Sequence, residues 1–483
     1  MNGRVLVVDV GTSSVRAAVI DSEARVVVEH HVRLLPDSPV PGLVEFDAAA
    51  MASVALELAQ RALADGGPVD SVGIADQRAS TIVWDRTTGA PVAPGIGWQD
   101  LRTVGRCLEL RAKGLTFAPN FSALKLEAIL DAVDPDRARD DLAFGTVDTW
   151  IAWTLSEGAL HVTDGTNAQV TALRTTANDA WDPVRLGTLR IPEHCLPAVV
   201  DSSGVVGAAT ALVGSPPIAG ILGDQQASLL GQGCVAAGDT KITFGTGGML
   251  DMVLGPERPS FADRSSSGCF PIATRRAGGT DTWGIEAAML AAGTNIEWLR
   301  DDLGLIGTAE ESDALAASCA DTGDVWYVPA LLGLGTPHFD YGARGTLVGL
   351  TRGSGRAEVV RAVLEGIAHR GADLVDAAEA DAGARIAVLH VDGGMAANAT
   401  FVQALADASQ HVVEVAPVRE ATMLGAAFSA GLAFDLWSGD DDIAATWHLA
   451  RRVEPGAPLD RDRWRAVVAR AEGWIPELSM IDL

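Results

Sequence analysis

Only three lysines occur in the chain, Lys113, Lys125 and Lys241, so nearly every positive charge is an arginine. That scarcity excludes a P-loop, whose G-x-x-x-x-G-K-[ST] pattern surrounds none of the three. Positive charge as a whole is short. Lys and Arg number 36 against 63 Asp and Glu, a formal charge of −27 that repels both a nucleic-acid backbone and the anionic face of a membrane. The five cysteines (Cys107, Cys195, Cys234, Cys269 and Cys319) are odd in number, far apart and never in C-x-x-C. A disulfide framework and a thiolate metal site are therefore excluded, and the five read as buried thiols. No apolar run is long enough to span a bilayer, and Asp9 interrupts the opening Val5–Val8 run before it could form a signal-peptide core. A cytoplasmic protein is expected. H-R-D and D-F-G are missing, as is a G-x-G-x-x-G after the first strand, so neither a protein-kinase nor a Rossmann nucleotide site is written here.

What is present is a folded chain of 483 residues, 48% hydrophobic and 20% charged. At about 150 residues per domain this suggests roughly three domains or two large ones. The N-terminus reads as three Val-rich strands, 4–10, 15–20 and 26–31, forming an antiparallel meander. Helical patterns then alternate with short apolar strands: helices over 48–64, 102–113 and 123–132, strands over 72–75 and 81–84. The class is α/β. A Gly- and Ala-rich stretch over 231–238 marks a boundary near Gly233, giving lobes 1–233 and 234–483, with Gly233 a plausible hinge. In the second lobe helices are expected over 286–301, 357–380, 398–409 and 419–433, and strands from Lys241, over 325–328 and over 386–391.

Each lobe opens on a similar bend. Asp9-Val10-Gly11-Thr12-Ser13-Ser14 lies between the first two strands, and Thr243-Phe244-Gly245-Thr246-Gly247-Gly248 occupies the same place in the second lobe. Small residues let successive backbone N–H groups converge on an anion, and the Thr and Ser hydroxyls add neutral donors. Asp9 ends its strand where a carboxylate can hold Mg²⁺, and Arg16 on the return strand can balance the charge. A single such bend is ordinarily just a hairpin turn. Two of them, one with an acidic strand end, predict a nucleotide held in a cleft between lobes. A rival acyl-transfer chemistry, suggested by the S-x-x-K of Ser122-Ala123-Leu124-Lys125, lacks the accompanying S-D-N and K-T-G.

Ten collinear segments carry a resemblance that spans the chain. They are VDVGTSSVRAAVID around 9–21, PGLVEFD (41–47), GWQDLRT (97–103), FGTVDTWIAWTLS (144–156), HVTDGTNA (161–168), PIAGILGDQQASLLGQG (217–233), KITFGTGG (241–248), ARGTLVGLTRG (343–353), VDGGMAANATFVQ (391–403) and EATMLGAAFSAG (420–431). In these the chain resembles the FGGY carbohydrate kinase family, most closely its glycerol kinase branch. The resemblance implies two ribonuclease H-like lobes around a cleft, ATP with Mg²⁺, and phosphoryl transfer to a hydroxyl of a small polyol or sugar. It also implies a homo-oligomer, dimer or tetramer. A non-catalytic nucleotide-binding protein of the actin or chaperone sort would keep the two bends and need no base.

The resemblance further implies residue roles. Asp224 matches the general base that accepts the acceptor's proton. Asp9 would hold Mg²⁺, and Gly11, Thr12, Ser13, Gly245 and Thr246 the phosphates, with Arg16 nearby. Gly393, Gly394 and Asn398 match adenine-side contacts, and Arg78, Trp98 and Gln225 the polyol contacts. Three positions depart from the glycerol kinase pattern: Ala79 replaces a carboxylate, Asn120 a tyrosine and Met249 a phenylalanine. These changes predict an acceptor larger than glycerol, a four- or five-carbon polyol or ketose, with glycerol itself the alternative. Ser215 replaces the arginine tied to sugar-bisphosphate feedback, so such feedback is not expected.

Overall fold

A computed structural model describes residues 3–416 and 421–480. Its frame is two mixed sheets. In the first lobe, β1 (Arg4–Val10), β2 (Ser14–Asp21) and β3 (Val26–Arg33) form the expected meander, joined by β4 (Ser71–Asp76), β5 (Ser203–Ala208) and β6 (Pro217–Gly223) in the order β5-β6-β4-β1-β2-β3. β1 and β4 are buried almost throughout because their Val, Leu, Ile and Ala side chains meet helices on both faces, which is how a central parallel pair reads. On one face lies α1 (Ala48–Gly66), whose N-terminus is capped by the Asp47 carboxylate accepting from the Ala50 N–H at 2.9 Å.

The second lobe repeats the plan with β7 (Thr240–Phe244), β8 (Gly248–Gly255), β9 (Phe270–Ala277), β10 (Thr280–Met289), β11 (Val388–Asp392), β12 (Val412–Val415) and β13 (Arg451–Val453), ordered β9-β10-β8-β7-β11-β12-β13. Like β1, β7 pairs antiparallel with the strand after its bend and parallel with a later strand. The apolar face of this sheet (Ile242, Phe244, Leu250, Met252, Ile285) packs in one core with the long helix Arg356–Ala382 and the helix Ala399–Ser409.

Two short helices join the lobes: α2 (Asp224–Gly231), directly after β6, and the helix Ala421–Leu432. They touch backbone to backbone. A Cβ at Gly425 would lie 1.8 Å from the Ala227 carbonyl oxygen, and one at Gly231 would lie 1.9 Å from that of Ala421. Only glycine at both contacts permits this approach. With Val5, Val7, Ala75, Leu222 and Phe428 these helices bury a cluster against the first sheet, so a segment late in the chain fixes the helix that follows β6.

One expected helix is a strand. Residues 286–289 end β10, and helix begins only at Thr294–Glu297, continuing as a wider turn over Trp298–Asp302. The Glu-Ala-Ala-Met-Leu run has good helix formers, but pairing with β8 and β9 on both sides overrides that local preference. Arg419 and Glu420, which open the expected helix 419–433 and the segment 420–431, lie outside the described residues. Four of the cysteines are buried as expected, whereas Cys319 is partly exposed. Among the described residues no helix is long and apolar enough to cross a membrane.

Candidate active site

The bend after β1 closes on itself when the Gly11 N–H donates to the Ser14 carbonyl at 2.9 Å. Asp9 and Arg16 are direct cross-strand neighbours at its base, and Asp9 is 8% exposed. The second bend, Gly245–Gly247, joins β7 to β8. It is held from behind: the Ala292 and Gly293 N–H groups donate to the Thr246 and Gly245 carbonyls at 2.8 and 2.9 Å. Gly245 and Thr246 are exposed, and a Cβ at Gly245 would meet nothing within 4 Å. The second bend therefore presents open backbone, and in the first it is Ser13 that is exposed.

A continuous set of side chains connects the two bends. The Gln77 amide donates to the Gly11 carbonyl at 3.2 Å. Next to it, Arg78 reaches from the end of β4 to Glu286 on β10 (Nη2 to Oε2, 2.6 Å) and to Asp224 at the start of α2 (Nε to Oδ1, 3.5 Å). Gln225 follows Asp224 and accepts through Oε1 from Lys241 Nζ at 2.7 Å. Lys241 also donates to the Thr243 hydroxyl at 3.0 Å, two residues before Gly245. One turn along α2, Ser228 donates to Asp392 Oδ2 at 3.1 Å, and Asp392 immediately precedes Gly393-Gly394.

Gly223 lets Arg78 take this path. A Cβ on Gly223 would stand 2.7 Å from both Cγ and Cδ of Arg78, so the Gly-Asp pair before α2 serves the arginine as much as the turn. The Gly223 N–H donates to the Thr166 hydroxyl at 3.0 Å, and Thr166 in turn donates to Asp164 at 2.8 Å. Asp164 lies in a buried group with Asp76 and Asp148, which supports the turn from beneath. Burial raises all three carboxyls: Asp164 is pushed up to about 7, and the neighbouring Asp148 charge adds to the rise in Asp76 and Asp164.

At the centre, burial pushes the Asp224 carboxyl above the usual aspartate range, while Arg78, the Gln225 N–H and Lys241 hold the rise back. Glu286 is pushed up to about 7 by burial, opposed by Arg78 and assisted by Asp251 beside it. Arg78 stays firmly charged because Glu286 and Asp224 outweigh the cost of its burial. Its Nη1 is buried without a hydrogen-bond partner, a donor in reserve on a guanidinium whose Nε lies 3.5 Å from a carboxylate of raised pKa. Such a pairing can hold an alcohol and take its proton.

The remaining expected residues are placed as follows. Trp98 is 37% exposed; its indole N–H donates to the Thr12 hydroxyl at 3.0 Å and its backbone N–H to the Ser80 hydroxyl at 3.1 Å, tying the first bend to the loop that follows Arg78. Asn120 donates to the Trp98 carbonyl at 3.2 Å, and Ala79 is buried with φ of +60°, turning the chain sharply between Arg78 and Ser80. Gly393 (φ +88°) is forced by the Phe244 backbone, since a Cβ there would lie 2.4 Å from the Phe244 carbonyl oxygen, whereas Gly394 opens onto free space. Asn398 caps the helix Ala399–Ser409 by accepting from the Phe401 N–H at 2.8 Å, and its amide donates to Ser312 at 3.0 Å. Ser13 is exposed at the tip of the first bend.

Ser122 and Lys125 do not form a nucleophile pair. Ser122 donates to the Ala79 carbonyl at 3.1 Å, and Lys125 donates to the Asn120 and Trp98 carbonyls at 2.7 and 3.2 Å. Burial pulls the Lys125 ammonium down to about 7. Both side chains brace the loops carrying Ala79 and Trp98. Sequence reasoning missed Glu286, hidden in an expected helix, and the partnership of Lys241 with Asp251. The signal for the latter was Lys-Ile-Thr-Phe directly before the second bend, an alternation that sets a lysine on one face of a strand in a chain with only three.

Models of the FGGY family of carbohydrate kinases match residues 4–231 (N-terminal domain) and 240–434 (C-terminal domain). The chain is 43% identical over 495 residues to a glycerol kinase of Aromatoleum aromaticum, covering 98% of this chain and 99% of that protein. It is 41% identical over 496 residues to a glycerol kinase of Trichlorobacter lovleyi, covering 97% and 99%. Among solved structures, a Plasmodium falciparum glycerol kinase with ADP superposes with a TM-score of 0.90 at 26% identity, covering 99% of each chain. With matching family models across both lobes and relatives above 40% identity along its length, the chain belongs to the FGGY family of carbohydrate kinases, phosphotransferases that use an alcohol group as acceptor.

Proposed function

We propose that the protein is an ATP-dependent glycerol kinase, with Asp224 as its general base. One observation carries the site reading: the Arg78 guanidinium, whose Nη1 is buried and unpartnered, has its Nε 3.5 Å from the Asp224 carboxylate. Glycerol as acceptor draws its support from full-length relatives at about 40% identity that are glycerol kinases. That support outweighs the four- or five-carbon acceptor expected from Ala79, Asn120 and Met249. Those positions alter the pocket wall, while Arg78, Asp224 and Gln225 keep the polar groups that a three-carbon polyol needs.

In this reading Arg78 Nη1 and the Gln225 amide donate to acceptor oxygens, and the Trp98 ring covers the carbon chain. Asp224 accepts the proton of the attacking hydroxyl. That oxygen forms a bond to the γ-phosphorus as the bond to the β,γ-bridging oxygen breaks, releasing ADP. Gly11, Thr12, Ser13, Gly245 and Thr246 supply N–H and hydroxyl donors to the phosphates, with Arg16 at the base of the first bend. The open space at Gly394 suits the adenine side, bounded by Gly393 and Asn398. Magnesium suits this hard oxygen donor set: Asp9 would hold it together with the triphosphate oxygens, and when bound it neutralises phosphate charge. Positioning supplies much of the rate, because these groups are held before the reactants arrive.

ADP release measured across glycerol, erythritol, threitol, ribulose and xylulose tests the acceptor. The highest kcat/KM is expected for glycerol. A higher value for any four- or five-carbon compound would reinstate the larger acceptor.

A further inference from the structure

The cleft-facing side of the second sheet is unusual for a buried surface. Lys241 and Asp251 are directly opposite each other on β7 and β8, and Asp251 is directly opposite Glu286 on β10. Lys241 and Asp251 are both fully buried, with Nζ 2.7 Å from Oδ2. A buried ion pair of this kind adds little net stability compared with apolar residues of the same volume, and two carboxyls set opposite each other are unfavourable. Core packing therefore gives no reason for the arrangement, whereas its third partner does.

Lys241 Nζ donates to Thr243 Oγ1 at 3.0 Å and to Gln225 Oε1 at 2.7 Å, and its third neighbour, Asp251 Oδ2 at 2.7 Å, is an ion-pair contact without hydrogen-bond geometry. The ammonium is fully buried among these protein oxygens, so it is enclosed by the protein rather than presented to a substrate. An ammonium also only donates, so the Gln225 amide oxygen must face it and the amide NH₂ must point elsewhere. Without Lys241 the two ends of that amide would be nearly equivalent, and either an acceptor or a donor could face the substrate. Asp251 compensates the lysine's charge, and Glu286 beside it leads on to Arg78, the other donor of the site.

We propose that Lys241, held in place by Asp251, is a positioning residue that sets the orientation of the Gln225 amide, so that this site offers an NH₂ donor to the acceptor. The inference rests on the acceptor role of Gln225 proposed above. It acts through acceptor binding: its one bond to the second bend is at Thr243, while Gly245 and Thr246 are held independently by the Gly293 and Ala292 N–H groups.

The test is a mutant cycle read by steady-state ADP release with glycerol and ATP. Lys241→Met/Asp251→Leu removes the pair as a unit, avoiding an uncompensated buried charge. It is expected to raise the KM for glycerol about tenfold, equivalent to about 1.4 kcal/mol, and to leave the KM for ATP within about twofold. Adding Gln225→Ala should then cost nothing more than Gln225→Ala costs alone. Multiplying effects, or an unmoved glycerol KM, would overturn the proposal. Gln225→Glu gives a second test that does not disturb the pair: a carboxylate still accepts from Lys241 but offers no NH₂. It is expected to melt no lower than the wild type while raising the glycerol KM about tenfold or more. A glycerol KM within about twofold of wild type for this variant would also overturn the proposal. Wild-type protein that releases no ADP with glycerol would remove the functional reading itself, whereas an active wild type with a multiplicative cycle removes only the role of Lys241.

Discussion

Asp224→Asn isolates base catalysis from binding. The substituted side chain has nearly the same shape, and its remaining oxygen can still accept from the Gln225 N–H, now at 2.8 Å. Arg78 loses a charged neighbour at 3.5 Å but keeps Glu286 at 2.6 Å, so the guanidinium stays in place. Neither phosphate bend touches residue 224. What disappears is the acceptor for the alcohol's proton. Loss of a positioned base costs roughly 10²- to 10⁴-fold in rate, or about 2.7–5.5 kcal/mol in the barrier. We expect kcat to fall within that range, glycerol KM to move less than about tenfold, and nucleotide affinity to hold. The pH profile supplies a second readout. Burial raises the Asp224 carboxyl above 3.8, so wild-type kcat/KM should fall on the acid side above the ordinary aspartate range. That limb should vanish in the variant. A coupled ADP assay with direct nucleotide titration measures all of these. A kcat within about tenfold of wild type, or an unchanged acid limb, would refute the base assignment.

Three further outcomes follow from the packing. Gly223→Ala places a methyl 2.7 Å from the Arg78 stem. Glycerol KM should rise roughly tenfold with little change in melting temperature, and an unchanged KM would show that Arg78 does not need this passage. Gly425→Ala drives a methyl to within 1.8 Å of the Ala227 carbonyl oxygen. Overpacking between these helices should cost about 1–3 kcal/mol or more, visible as a lower urea midpoint, and a midpoint equal to wild type would contradict the contact. Stability should also decline towards alkaline pH. Asp76, Asp148 and Asp164 have folded pKa values above their unfolded ones, so the folded state binds more protons and loses stability as pH rises from 3.8 through the folded values, about 7 for Asp164. Asp100, Asp340 and Asp373 are depressed despite burial, through bonds from Arg102, Ser479 and Arg370 among others. Their contribution is present above 3.8 and lost as pH falls below it. Lys125 and the buried His161 and His369, lowered by burial, oppose this fall, so the variant Asp164→Asn isolates it: the change in melting temperature between pH 4 and pH 7 should lose part of its downward component relative to the wild type, and an identical pH dependence in the two proteins would contradict the raised Asp164 carboxyl.

The elements legible in the sequence were those whose local pattern agrees with their surroundings. β1 to β3 alternate or run apolar between clear turns, and the helices at 48–66, 356–382 and 399–409 have strong helix formers and recognisable ends. Glu286 was not legible, because Glu-Ala-Ala-Met-Leu favours a helix and only pairing with β8 and β9 on either side makes it a strand. The partnership of Lys241, Asp251 and Glu286 depends on cross-strand register, which no local pattern states. Gly393 was recognised for its motif, and the structure adds a cause no motif states: a Cβ there would lie 2.4 Å from the Phe244 carbonyl oxygen. The helix 421–432, assigned to the second half of the chain, packs on the first sheet through glycine contacts that become visible only once both helices are placed.

The central claim is that an alcohol oxygen, relieved of its proton by Asp224, receives the γ-phosphoryl group of a nucleotide gripped between two small-residue bends. Phosphorus NMR of the protein with Mg²⁺-ATP and glycerol tests it most directly. One glycerol phosphomonoester is expected for each ADP. Equal release of ADP and inorganic phosphate, with no phosphomonoester, would contradict it.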